Sequence, residues 1–143
     1  MTWQNMNFVK KGFTLIELLV VIALIGILST LVLANLNSAR ERSRDAQRKS
    51  DLRNIQTAFR LYYNDKGVYP PVFPTAGSPW AVGGTTYMSS FPKDPLSSQS
   101  YRYTYTDGDN YTVDSCLENK SDDKCVTDAS FCPVSSCRYT VKP

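Results

Sequence analysis

The sequence predicts an α+β protein: a long N-terminal α-helix, first membrane-spanning and then amphipathic in character, packed on a small antiparallel β-sheet. Three observations predict it. Residues 13–36 form a run of 24 with one formal charge, Glu17. Residues 38–65 contain neither proline nor glycine and carry apolar side chains at helical spacing. Further on, Tyr101, Tyr103 and Tyr105 alternate with Arg102, Thr104 and Thr106, the period of two expected of a strand with one covered face.

The apolar run, at about 1.5 Å per residue, reaches roughly 36 Å, enough to cross a hydrocarbon core of about 30 Å. It is also longer than the h-region of a secretory signal. Leu, Ile and Val face every side of it, so it must be covered by lipid or by protein. Ala23, Gly26, Ser29, Thr30 and Ala34 are small enough to let other helices approach closely. Glu17 lies a few residues inside the apolar edge, where a lone carboxylate costs several kcal/mol, which marks it as a candidate functional group.

Beyond residue 36 the helix is expected to continue. Leu52, Ile55, Phe59 and Tyr62 fall at i, i+3, i+7 and i+10, with Ala39 and Ala46 extending the stripe backward, a face suited to packing on a sheet. Gly67 follows as a natural left-handed stop. The helix then runs about 52 residues, roughly 78 Å, far more than an ordinary globular domain uses. Residues 40–53 hold six basic groups against three acids, while residues 54–143 hold eight against nine, so this is not a uniformly basic nucleic-acid-binding domain. Arg40, Arg44 and Arg48 form a stripe at i, i+4 and i+8. A solvated face with intrahelical partners (Glu41–Arg44, Asp45–Arg48, Asp45–Lys49) is the preferred reading over contact with anionic lipid or DNA.

Lys10-Lys11-Gly12 followed by Phe13-Thr14-Leu15-Ile16-Glu17-Leu18 resembles the N-terminal signature of type IV pilins and of the pseudopilins of type II secretion. The resemblance implies a leader of residues 1–12, cut by prepilin peptidase between Gly12 and Phe13, and N-methylation of Phe13. It implies that Glu17 faces the Phe13 amine of a sibling subunit, two charges that are costly alone and tolerable together in low dielectric. It also implies a homopolymer and an inner-membrane assembly platform driven by a separate ATPase. The precursor would be a single-pass protein of the cytoplasmic membrane, and the product an extracellular pilus or a periplasmic pseudopilus. The family usually carries proline where Ala34 stands, so this helix is expected to be straighter. The arginines of residues 40–53 would by charge count stay in the cytoplasm; the leader signature and the cysteines place the C-terminal region outside.

Residues 67–143 are expected to form a small head stapled by disulfides. Tyr69-Pro70-Pro71 leaves the helix in extended form, and residues 74–100 read mostly as loop, with turns at Pro79, Gly83-Gly84 and Pro92-Lys93-Asp94-Pro95. Strands follow at Tyr101–Tyr105, near Tyr111–Leu117 and at Arg138–Val141, the first two joined by Asp107-Gly108-Asp109. Cys116, Cys125, Cys132 and Cys137 form an even set without a CxxC pair or any histidine in the chain, which favours two disulfides and an oxidising compartment over zinc. Three pairings are open; closure of short local loops favours Cys116–Cys125 with Cys132–Cys137. The tyrosine strip is read as a sheet face on Phe59 and Tyr62 rather than a sugar-binding surface.

The order of these pieces also resembles the major pseudopilin of type II secretion, in Tyr69-Pro70, in the Pro-Lys-Asp-Pro at 92–95, and in aromatic strands before an acidic loop. The four-cysteine tail departs from that branch. Pseudopilins of this kind hold calcium near the C-terminus, and Asp122, Asp123 and Asp128 are the candidate ligands here, although no EF-hand pattern is present. The leading expectation is no cofactor. Catalysis has no candidate: histidine is missing, no serine sits in a GxSxG elbow, and no glycine loop cradles phosphate. The expected function is therefore a structural subunit of a type IV pilus-like filament serving adhesion, motility or DNA uptake. The alternatives are a secretion pseudopilin forming a short piston, and a monomeric membrane-anchored binding domain.

Overall fold

The computed structural model describes residues 12–143 apart from 129, 134 and 135. The leader expectation, Lys10 and Lys11 included, falls on residues outside that set, save for Gly12. One helix, α1 (Leu15–Lys66, 52 residues), enters two compact units, one reaching to Ser38 and one comprising Ala39–Pro143. The backbone is helical through position 34, in keeping with alanine where a proline would have broken the ladder.

In the first unit the described side chains of α1 are exposed throughout, with Leu15, Ile16, Leu24 and Leu28 all more than half accessible. The Thr30 hydroxyl donates to the Ile27 carbonyl at 2.7 Å, so this polar group is satisfied within the helix. A side chain added at Gly26 would meet nothing within 4 Å, so no contact among the described residues requires glycine there.

In the second unit, α1 ends where Gly67 takes a φ of 73° and its N–H returns to the Tyr63 carbonyl at 2.7 Å. Strands β1 (Trp80–Val82) and β2 (Thr85–Met88) form an antiparallel hairpin; β3 (Arg102–Asp107), β4 (Asn110–Leu117) and β5 (Cys137–Val141) form an antiparallel sheet in the order β3-β4-β5. The three strands of that sheet match the sequence expectation. The β1–β2 hairpin corrects it, because Gly83 and Gly84, at φ 62° and 86°, make the tight left-handed turn on which two short strands can close.

The core gathers around the helix. Leu52, Ile55 and Phe59 are fully buried beside Val113, Leu117, Tyr139 and Val141. Phe59 is a hub, with Trp80, Tyr103 and Tyr111 at centroid distances of 5.3, 5.5 and 5.1 Å, all edge-on. Of the tyrosine strip, only Tyr103 packs on Phe59 as expected. Tyr101 precedes β3 and donates its hydroxyl to Asp51 at 2.7 Å, and Tyr105 is exposed. Tyr62 meets Trp80 and Tyr87 instead, at 5.4 and 5.2 Å.

The apolar stripe does not run back through Ala39 and Ala46, which are exposed. The buried face continues instead through Arg48 and Asp45, which carry the same three-and-four spacing with charged side chains.

Candidate functional site

At its N-terminal end α1 is closed by a reciprocal cap. The Glu17 amide donates to Thr14 Oγ1 at 3.3 Å, while Glu17 Oε2 accepts from both the Thr14 amide and the Thr14 hydroxyl at 2.8 Å. This is a capping box, in which a carboxylate satisfies donors that the first helical turn leaves without partners. The helix dipole favours an anion at the same place. The sequence reading of Glu17, as a costly lone carboxylate awaiting a sibling's amine, leaves out this cap, for which the Thr-x-x-Glu spacing at residues 14–17 is the signal. No cation pairs with Glu17 among the described residues. The carboxylate is thus held at the helix end with one oxygen committed to Thr14. Gly12 and Phe13 precede the helix outside any regular element and are exposed.

The second constellation was not anticipated. Arg48, expected on a solvated face, is completely buried. Its guanidinium forks onto Asp94 (Nε to Oδ2 2.8 Å, Nη2 to Oδ1 2.9 Å) and its Nη1 donates to Asp45 at 2.9 Å and Glu118 at 2.7 Å. Arg44 adds a further fork onto Glu118, from Nε at 2.7 Å and Nη2 at 2.5 Å. Asp45 in turn accepts the amides of Glu118 and Asn119 at 2.9 and 2.8 Å, tying the end of β4 to the helix. Burial disfavours the charged form of Arg48, but Asp94, Glu118 and Asp45 outweigh it and hold the guanidinium firmly protonated. The Arg44 hydrogen bonds, against a burial penalty and helped by Arg48, bring the Glu118 carboxyl down to about 2. The Asp45–Arg48 pair is the one expected from helical spacing; the long-range sign is the aspartate of the Pro-Lys-Asp-Pro turn, whose partner lies 46 residues earlier.

The cysteines are all paired, as Cys116–Cys132 and Cys125–Cys137, each with Cα atoms 5.5 Å apart. This corrects the local pairing of Cys116 with Cys125 and of Cys132 with Cys137. The reason is register: Leu117 pairs with Cys137 across β4–β5, and the bridge between Val126 and Arg138 lays residue 125 beside the start of β5. Tertiary strand pairing therefore overrides loop length. Two of the three candidate calcium ligands have other partners. Asp122 is bonded to Lys49, Asp128 accepts from Arg138 at 2.7 Å and from Ser130, and Asp123 is exposed. Among the described residues no three histidine, cysteine or acidic side chains converge as a metal-binding group.

The family model described as the prokaryotic N-terminal methylation motif matches residues 8–33, the stretch that holds Gly12, Phe13 and the capped Glu17. The type II secretion system core protein G of Vibrio cholerae is 31% identical over 114 residues, covering 73% of this chain and 77% of that protein. This chain belongs to the type IV pilin and type II secretion pseudopilin family. Fimbrial protein EcpC of Eikenella corrodens is 41% identical over 82 residues, 57% of this chain and 53% of that relative. The type IV major pilin PilA of Myxococcus xanthus is 37% identical over 60 residues, 42% of this chain and 27% of that protein. The chain thus spans about half or less of these two pilins. No solved structure matches. Its relatives on both branches are named as pilus or secretion-system proteins, and the long helix with its small sheets gives the pilin-type α+β fold a physical basis in this sequence.

Proposed function

We propose that this pilin-family chain is a structural, non-catalytic subunit of a type IV pilus-like filament, assembled through its N-terminal helix. The observation that carries the reading is the methylation motif leading directly into a helix whose apolar side chains are exposed on all sides. Such a surface is covered by lipid before assembly and by sibling helices after it. Prepilin peptidase cuts between Gly12 and Phe13 and Phe13 is methylated. The resulting cation approaches Glu17 of a neighbouring copy, whose carboxylate the Thr14 cap holds at the end of the helix. An inner-membrane platform and a separate ATPase drive the step. The precursor resides in the cytoplasmic membrane with residues 67–143 on its outer side, where the disulfides form. DNA, surfaces or other cells are open as targets of the filament.

A second reading, a short periplasmic pseudopilus, is favoured by the coverage of the core protein G of Vibrio cholerae, which exceeds that of the pilins. Imaging intact cells with an antibody raised to residues 100–143 separates the two. Long labelled fibres support the pilus; a bare surface with processed protein in the envelope supports the pseudopilus. Unprocessed single copies in the membrane would contradict both.

A further inference from the structure

Apart from Arg40 and Lys66, which are exposed on other faces, the cations on the second half of α1 divide into two sets. Arg44, Arg48 and Lys49 are bonded to carboxylates of the head. Arg42, Arg53 and Arg60 are exposed, and among the described residues their side chains make no hydrogen bond or ion pair. At 3.6 residues per turn, positions i, i+11 and i+18 fall within about 20° of one another, so these three form one straight row roughly 27 Å long. Lys49, at i+7, falls in the same row and is taken up by Asp122 of the head, while exposed Ala46, Ser50 and Thr57 flank the row on its other side and leave Arg42, Arg53 and Arg60 accessible.

Charge of the opposite sign stands at the β3–β4 turn. Asp107 and Asp109 are exposed and, among the described residues, bonded only to neutral groups: Asn110 and a backbone amide for Asp107, the Tyr63 hydroxyl at 2.7 Å for Asp109. That hydroxyl, with the Tyr69 amide on the Gly108 carbonyl at 2.8 Å, pins the turn at the C-terminal end of α1. Arg53 and Arg42 are ten and twenty-one residues before Tyr63, about 15 and 32 Å along the axis, beyond the reach of the turn on their own chain. Arg60 is nearer and makes no ion pair with it either. Complementary patches that one chain cannot bring together describe a head-to-tail contact, the kind that propagates rather than closes.

We propose that the Arg42–Arg53–Arg60 row of one subunit docks against the Asp107-Gly108-Asp109 turn of a second copy displaced along the helix axis. This rests on the filament reading above. Such exposed pairs contribute little singly, but they set register and exclude misaligned neighbours. The test uses the full chain in cells that make no other copy, with sheared filaments and the processed membrane pool measured separately. Arg42→Glu with Arg53→Glu, and independently Asp107→Lys with Asp109→Lys, should each lower filament yield about tenfold through like-charge contact. All four changes together should restore most of it. Unchanged yield in either pair, or no recovery in the combination, overturns the proposal. Should a reversed pair deplete the membrane pool, Arg53→Lys filaments treated with a carbodiimide decide. An intermolecular amide from position 53 to Asp107 or Asp109 supports the contact, and its absence refutes it. Failure of the unaltered chain to form filaments at all would instead sink the filament reading.

Discussion

Two side chains do most to explain this molecule, and both are charged. Arg48 is buried against Asp94, Asp45 and Glu118, so removing Asp94 leaves the buried Nε and Nη2 donors without a partner. Asp94→Ala should therefore cost about 3–5 kcal/mol, read as a lower midpoint in denaturant for the detergent-solubilised chain. The Arg48→Met, Asp94→Leu double variant should be considerably milder, because it removes the buried charge itself. Glu118 sets the pH response. Its folded-state carboxyl titrates at about 2 against an ordinary 4.5, so its contribution is complete above pH 4.5 and is lost as pH falls towards 2. Thermal melts between those limits should show the loss, and Glu118→Gln should flatten it; an unaltered acid limb in that variant would contradict the assignment. Arg48 was hidden in the sequence because helical pair spacing explains any Arg–Asp neighbour. Its decisive partners lie 46 and 70 residues away, a distance that local rules do not span.

At the scale of elements, the sequence disclosed those whose signal is local. The start of the apolar run, the absence of proline and glycine, and Gly67 together outline α1, and alternating tyrosines outline β3. The β1–β2 hairpin was missed because its strands have three and four residues, too short to display a period, although Gly83-Gly84 named the turn. Gly84→Val, at a φ of 86°, should destabilise that hairpin by roughly 1–3 kcal/mol, visible as faster amide exchange at Trp80–Val82. The disulfides depart from the local expectation for the opposite reason: Cys125 reaches Cys137 through the Val126–Arg138 bridge beside β5, a long-range pairing no short loop carries. Peptide mapping without reduction should recover Cys116 linked to Cys132 and Cys125 linked to Cys137; a peptide joining Cys116 to Cys125 would contradict the fold of the tail.

For the whole molecule, what was legible was its way of life more than its internal wiring. A basic pair, a glycine, an aromatic residue and a glutamate before a long apolar helix suffice to suggest a processed, polymerising subunit, and the capping box adds how the glutamate is held. Gly12→Val should leave the chain in the membrane with its leader attached, seen as a larger band on a denaturing gel; normal shortening would contradict processing at that bond. The central claim, that Glu17 serves assembly through its charge, is tested most directly by Glu17→Gln. Glutamine can still accept from Thr14 and keep the helix capped, but it offers no charge to a neighbour's amine. Filament yield in cells making only this variant should collapse while the processed, membrane-inserted pool stays at the level of the unaltered chain. Filaments at full yield would contradict the account.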